Sequence, residues 1–174
     1  MDRWSVALNP EQEAIVHAAQ RHARWLYEGR DTGHHSCGIA IASTAGVPTP
    51  PYQSLRKGGL FGAGPCGAVM AGRLVLGELL GDPDPTGSVT PRLREAMQFY
   101  DGQLAGRIDR KGVDSWMCAD LTAPHGDFTG PTRALFCTAI AGDVAALVIE
   151  TLLRAGVSIA LDEWGVPLVA RTTD

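Results

Sequence analysis

The strongest constraint on the fold is punctuation. Three times, a side chain able to cap a helix stands just ahead of a proline that opens a helical apolar period. In Asn9-Pro10-Glu11-Gln12, Asn9 is placed as the cap, Pro10 suits the first helical position and Gln12 completes a capping box. Ile15, Ala19, His22 and Leu26 then fall at helical spacing, and Gly29 suits the C-terminal cap, which predicts an amphipathic helix over 10–28. Thr90-Pro91 opens another, with Leu93, Met97, Tyr100 and Leu104 on its apolar face. Thr129-Gly130-Pro131 opens a last long helix, capped by Thr129, that ends at Gly156. Its inward face carries Cys137, Ile140, Val144, Leu147 and Val148.

Between these lies a fourth helix over Cys66 to Leu80. Val69, Leu74, Val75, Leu76, Leu79 and Leu80 supply its bulk, and Ala68, Ala71 and Gly72 permit close packing. Cys37 to Ser43 reads equally as a buried strand or a short helix, because the run is too short for its period to decide. Short helical pieces are expected over Tyr52 to Lys57 and around Trp116-Met117-Cys118. Pro48 to Pro51, Gly58 to Pro65 and Asp82 to Gly87 are loops, and the tail 157–174 is a small hairpin or an extended arm. No strand–helix alternation runs along the chain. The expectation is a single all-α domain over 1–174, a compact bundle of about five helices with a short C-terminal arm or hairpin, its cysteine-bearing helices converging at one end.

Composition narrows the function classes. Of 174 residues, 45% are hydrophobic and 20% charged, which suits an ordinary globular domain rather than a disordered chain. The net charge of −4 argues against a dedicated nucleic-acid binder. The most apolar stretch, Ala134 to Leu153, is interrupted by Asp143 and Glu150, so no membrane span is expected. The start, Met1-Asp2-Arg3-Trp4, has neither a basic nor an apolar signal region, and the expected compartment is the cytoplasm.

Several chemical motifs fail on their own physics. Gly62-Ala63-Gly64-Pro65-Cys66-Gly67 spells a dinucleotide fingerprint, but Arg56 to Phe61 ahead of it is no buried strand. Glu13 and His17 form a solvated pair one helical turn apart, not half of a carboxylate-bridged iron site. No nucleophile elbow occurs. What remains are the four cysteines, Cys37, Cys66, Cys118 and Cys137, with no C-x-x-C among them. Cys37 and Cys66 each follow turn residues and open an element, where a helix N-terminus lowers a thiol pKa and favours thiolate. Cys118 follows Trp116-Met117 and is expected to be buried, and Cys137 faces inward. The plain alternative is four small core residues.

The layout resembles the redox-active C-GCAxxG-C-C family, small four-cysteine helical proteins related to the non-haem iron region of split-Soret cytochromes. The similar stretch runs from Gly59 to Gly77 through the glycine-rich turn, Cys66-Gly67-Ala68 and the small-residue helix. Gly67 here separates Cys66 from the alanine that the family motif sets beside its cysteine. The similarity covers 34–153, with Cys37, Cys66, Cys118 and Cys137 as the four family cysteines in order. It implies a helical domain, cysteine redox or metal chemistry and a homodimer, without fixing whether the protein is an enzyme such as an oxidoreductase.

The expectation is therefore an iron–sulfur cluster, [2Fe–2S] or [4Fe–4S], on Cys37, Cys66, Cys118 and Cys137. His34 and His35 are alternative ligands. Gly62, Gly64 and Gly67 bring backbone N–H groups to the sulfurs. The alternatives are a metal-free dithiol redox protein and a structural zinc or interaction module. A redox partner protein or a small-molecule substrate completes the expectation.

Overall fold

The computed structural model describes residues 3–171; Met1, Asp2 and the last three positions of the tail lie outside it. The fold is all-α with a small antiparallel hairpin at its C-terminal end. Six α-helices follow one another: α1 Pro10–Glu28, α2 Cys37–Thr44, α3 Gly67–Leu80, α4 Pro91–Arg107, α5 Cys118–Thr122 and α6 Pro131–Arg154. Short 3-10 turns occupy Pro50–Leu55 and Ala123–His125.

The caps account for most boundaries. Asn9 accepts from the Gln12 backbone N–H while the Gln12 side chain accepts from Asn9, a closed capping box. Thr90 accepts from the Leu93 N–H. At α6 the expected cap is displaced by one residue. Gly130 is the N-cap and offers no side chain, while Thr129 binds Asp127 instead. An Asx turn at Asp127 thus competes successfully for the threonine. The ambiguous segment 37–43 is helical, the helix running on to Thr44, and is buried along most of its length by α1, α3 and α6.

Helix α6 is the central element and packs chiefly on α1. By length and composition alone it could cross a bilayer, and 72% of its most apolar window is buried inside the fold. Its acidic interruptions are neutralised locally. Glu150 is buried and holds Arg107 and Arg154, and Asp143 holds Arg24. Arg154 also donates to the carbonyls of Arg3 and Val6, tying the N-terminal segment to the end of α6.

The small-residue face of α3 is turned inward. Ala68 and Ala71 are fully buried, and Gly72 lies against the Tyr100 hydroxyl, which donates to the Val69 carbonyl at 3.0 Å. That face is used inside the fold, Gly72 against Tyr100 of α4 and the rest of the helix against α2 and α6. The tail forms the hairpin β1 Ile159–Leu161 and β2 Pro167–Val169, paired Ile159 to Val169, with Asp162 accepting from the Trp164 and Val166 N–H groups in the turn.

Candidate functional site

All four cysteines line one cavity of about 200 Å³. Three of them mark the starts of helices. Ser36 stands at the N-cap position of α2 without a cap hydrogen bond from its side chain, and Cys37 is the first residue of α2; Cys66 is the N-cap of α3; Cys118 opens α5. Cys137 reaches the cavity from the second turn of α6. No pair is oxidised; all four are free thiols.

The local architecture explains why these distant segments meet. Pro65 and Met117 form an isolated antiparallel bridge. The Cys66 N–H donates to the Trp116 carbonyl at 2.7 Å and the Cys118 N–H to the Gly64 carbonyl at 2.9 Å. The starts of α3 and α5 are thereby laced side by side. The glycine-rich turn serves this lacing. Gly58 has a positive φ, and a Cβ there would sit 2.5 Å from Cys118 Cβ; one on Gly64 would sit 2.7 Å from the Gly58 carbonyl oxygen. Gly67 lets the Leu55 carbonyl and Cys37 Sγ approach the first turn of α3. Of the three glycines expected at the cofactor, Gly67 lines the cavity, Gly62 lines an adjoining groove, and Gly64 lines neither and packs on Gly58. No strand precedes the Gly62–Gly67 motif; Arg56 to Phe61 ahead of it is a run of turns.

The two histidines separate. His34 lines the cavity, its Nδ1 hydrogen-bonded to the Tyr27 carbonyl and its ring edge-on to Tyr27 at 4.7 Å. His35 does not line it, and its buried Nδ1 has no partner.

The electrostatics differ from the sequence expectation of helix-stabilised thiolates. Burial, followed by the neighbouring Cys66, Cys137 and Cys118, pushes the Cys37 thiol well above its ordinary range. Burial pushes Cys66 up to about 11, against N–H donation from Val69 and Ala68. Cys118 is also raised, by burial and then by Cys137, with Arg133 and Lys57 opposing. Desolvation beats the helix ends because the thiols face an apolar cavity and one another. Without a ligand, Cys37, Cys66 and Cys118 are held as protonated thiols.

The cavity is also ringed by side chains that the cysteine pattern did not reveal. Arg56, Lys57 and Arg133 line it, with Tyr27, Phe128 and Phe136. The Phe128 ring lies under both Lys57 Nζ, at 4.9 Å, and the Arg133 guanidinium, at 4.4 Å. Arg133 donates to the Tyr27 hydroxyl at 2.7 Å, yet its Nε is buried without a partner, as is Ser36 Oγ. One signal for Arg133 was present in the sequence, since it lies one helical turn before Cys137.

The donor set suits some groups better than others. A single zinc needs its sulfurs drawn to one point, at about 2.3 Å from the metal. Among the described residues, no three of the His, Cys, Asp and Glu side chains converge to hold one metal ion. Four sulfurs spaced around a cavity, with backbone N–H groups at Cys37 and Cys66 and cations on the wall, suit a larger anionic group. Comparison with protein-family models, with curated proteins and with solved structures finds no match for this chain.

Proposed function

We propose that the chain is a redox protein whose Cys37, Cys66, Cys118 and Cys137 hold an iron–sulfur cluster, as the resemblance to the C-GCAxxG-C-C family implies. One observation carries the reading: four cysteines from four separate segments line a single cavity. A scattered set of core cysteines has no reason to share one wall. A bound cluster supplies one-electron chemistry at a potential tuned by burial and hydrogen bonds. The chain's own contribution is the surroundings. The N–H groups of Gly38, Ala68 and Val69 donate to sulfur, Arg133 and Lys57 offset negative charge, and the apolar wall limits water.

The metal-free dithiol reading is disfavoured by the same thiols. A thiol pushed up to about 11 is protonated at neutral pH and is a poor nucleophile. The structural-zinc reading is disfavoured by the spread of the sulfurs.

The test is anaerobic purification with a visible spectrum, metal analysis and acid-labile sulfide. Iron and sulfide in proportion, lost in Cys66→Ser, are expected. Colourless protein with one zinc per chain would assign the site to a structural metal instead. Protein without any metal, whose Cys66→Ser variant behaves as the parent toward metals and oxidants, would end the reading. A homodimer is part of the proposal on the resemblance alone, and light scattering at the monomer mass across concentrations would remove it.

A further inference from the structure

A second concavity, about 430 Å³, adjoins the thiol cavity on its outer side. Lys57, Cys118, Thr122 and Phe128 belong to both walls, so Cys118 stands in the partition between them. The outer groove is completed by Phe61, Gly62, Ala63 and Ala119. Its volume falls in the range of small-molecule sites rather than of protein docking faces.

The charge around it is one-sided. No carboxylate lines either the groove or the cavity, although the chain as a whole carries four more acidic than basic residues. Arg56, Lys57 and Arg133, like Arg21, Arg92 and Arg94, make no ion pair among the described residues, whereas the other nine Arg and Lys side chains do. Asp127 interacts with Arg133, but its oxygens are already taken by the Thr129 N–H and hydroxyl. Phe61 stands on the groove wall with 87% of its surface exposed, on a turn where Lys57, Gly58, Gly59, Leu60 and Gly62 all have positive φ. Phe61 packs on no core residue, and with the neighbouring Leu60, itself 52% exposed, it sets an exposed apolar pair beside the groove.

We infer that the groove beside Cys118 binds a small organic carboxylate with a planar apolar body, its charge met by Lys57 and its body lying along Phe61 and Phe128. Such a molecule is delivered to the outer face of Cys118, the one thiol shared by groove and cavity. The binding itself needs no metal; its use as a redox substrate rests on the proposed function.

Benzoate is the probe, with benzamide as its neutral counterpart and inorganic phosphate as an anion without an apolar body. Calorimetry measures binding, and mass spectrometry reads iodoacetamide alkylation of each cysteine. Benzoate should bind more tightly than either comparison compound and should slow alkylation of Cys118 more than that of Cys66. Lys57→Gln should weaken benzoate about fivefold or more, while leaving benzamide unchanged. Phe61→Ala removes an exposed ring, leaves the fold intact and should weaken benzoate and benzamide alike. Equal binding of benzoate and benzamide, or of benzoate and phosphate, would overturn the inference, as would unaltered benzoate binding in both variants. Iron content read on the same samples separates the two proposals. Benzoate binding by protein that retains no iron leaves this site standing and removes the cluster, and iron without benzoate binding does the reverse.

Discussion

Gly67→Ala adds one methyl group at the first position of α3, and the structure specifies what it meets. The new Cβ would lie 2.3 Å from the Leu55 carbonyl oxygen, 3.2 Å from the Leu55 carbonyl carbon and 3.2 Å from Cys37 Sγ. Ordinary contact begins at 3.4 Å, so the oxygen must retreat by about 1.1 Å, the difference between 3.4 and 2.3. That oxygen is backbone, on a 3-10 turn anchored by the buried Tyr52, and cannot swing aside as a side chain would. Forcing a methyl into such a contact costs about 1–3 kcal/mol. Against it stands the helix preference of alanine over glycine, at most about 1 kcal/mol and less at a first position. The net expectation is a loss of about 1–2 kcal/mol, a fall in Tm of roughly 2–8 °C for a chain of this size. Because the same methyl presses on Cys37, iron retention should fall with it. Gly102→Ala is the control. Gly102 is exposed within α4 with nothing within 4 Å of its Cβ position, so alanine there should stabilise by about 0.5–1 kcal/mol. Thermal and urea unfolding followed by circular dichroism measure both. If Gly67→Ala is as stable as Gly102→Ala and keeps its iron, the close approach of Leu55 to α3 is not a constraint and the reasoning fails.

Two further outcomes follow from burial. Glu150→Ala strands Arg154 and frees Arg107 beside the last turns of α6, and should cost about 3 kcal/mol in urea unfolding, with Glu150→Gln retaining part of it. In metal-free, reduced protein, the raised Cys66 pKa means that the fold favours the protonated thiol. Its stabilising contribution is full below about pH 9 and is lost as pH rises toward about 11. A urea-denaturation series across that window should show stability falling, and the fall should be shallower in Cys66→Ala; an identical slope would contradict the assignment.

The elements that announce their own ends were readable from the chain. Asn9, Gln12 and Gly29 bound α1 as their chemistry requires, and Thr90 with Pro91 starts α4. Residues 37–43 could not be resolved because Ile39 and Ile41 alternate with alanines, all of them buried, and a segment buried on every side carries no period. Thr129 misled because its rival partner, Asp127, acts over two residues and leaves no trace in an apolar pattern. For the candidate site, the cysteines were visible as residues, and the raised pKa of three of them was not. Helix ends are local and can be read; the desolvation that outweighs them comes from Phe136, Ile140 and the other thiols, which only the fold brings near. Phe128 and Lys57 were unreadable for the same reason, being joined to Arg133 through space.

The lacing of Pro65 to Met117 has a bearing on how the chain is made. The thiols at 37 and 66 leave the ribosome well before those at 118 and 137, and α1 must wait for α6, its chief packing partner. A nascent chain ending anywhere before α6 therefore presents its first two thiols to the surrounding medium without a roof. Closing the span between 65 and 117 early costs chain entropy that no local contact repays, so the two helix starts meet late. Ribosome-bound chains truncated ahead of Pro131 should have all their cysteines open to alkylation, and protection should arrive in one step when residue 154 has cleared the exit tunnel.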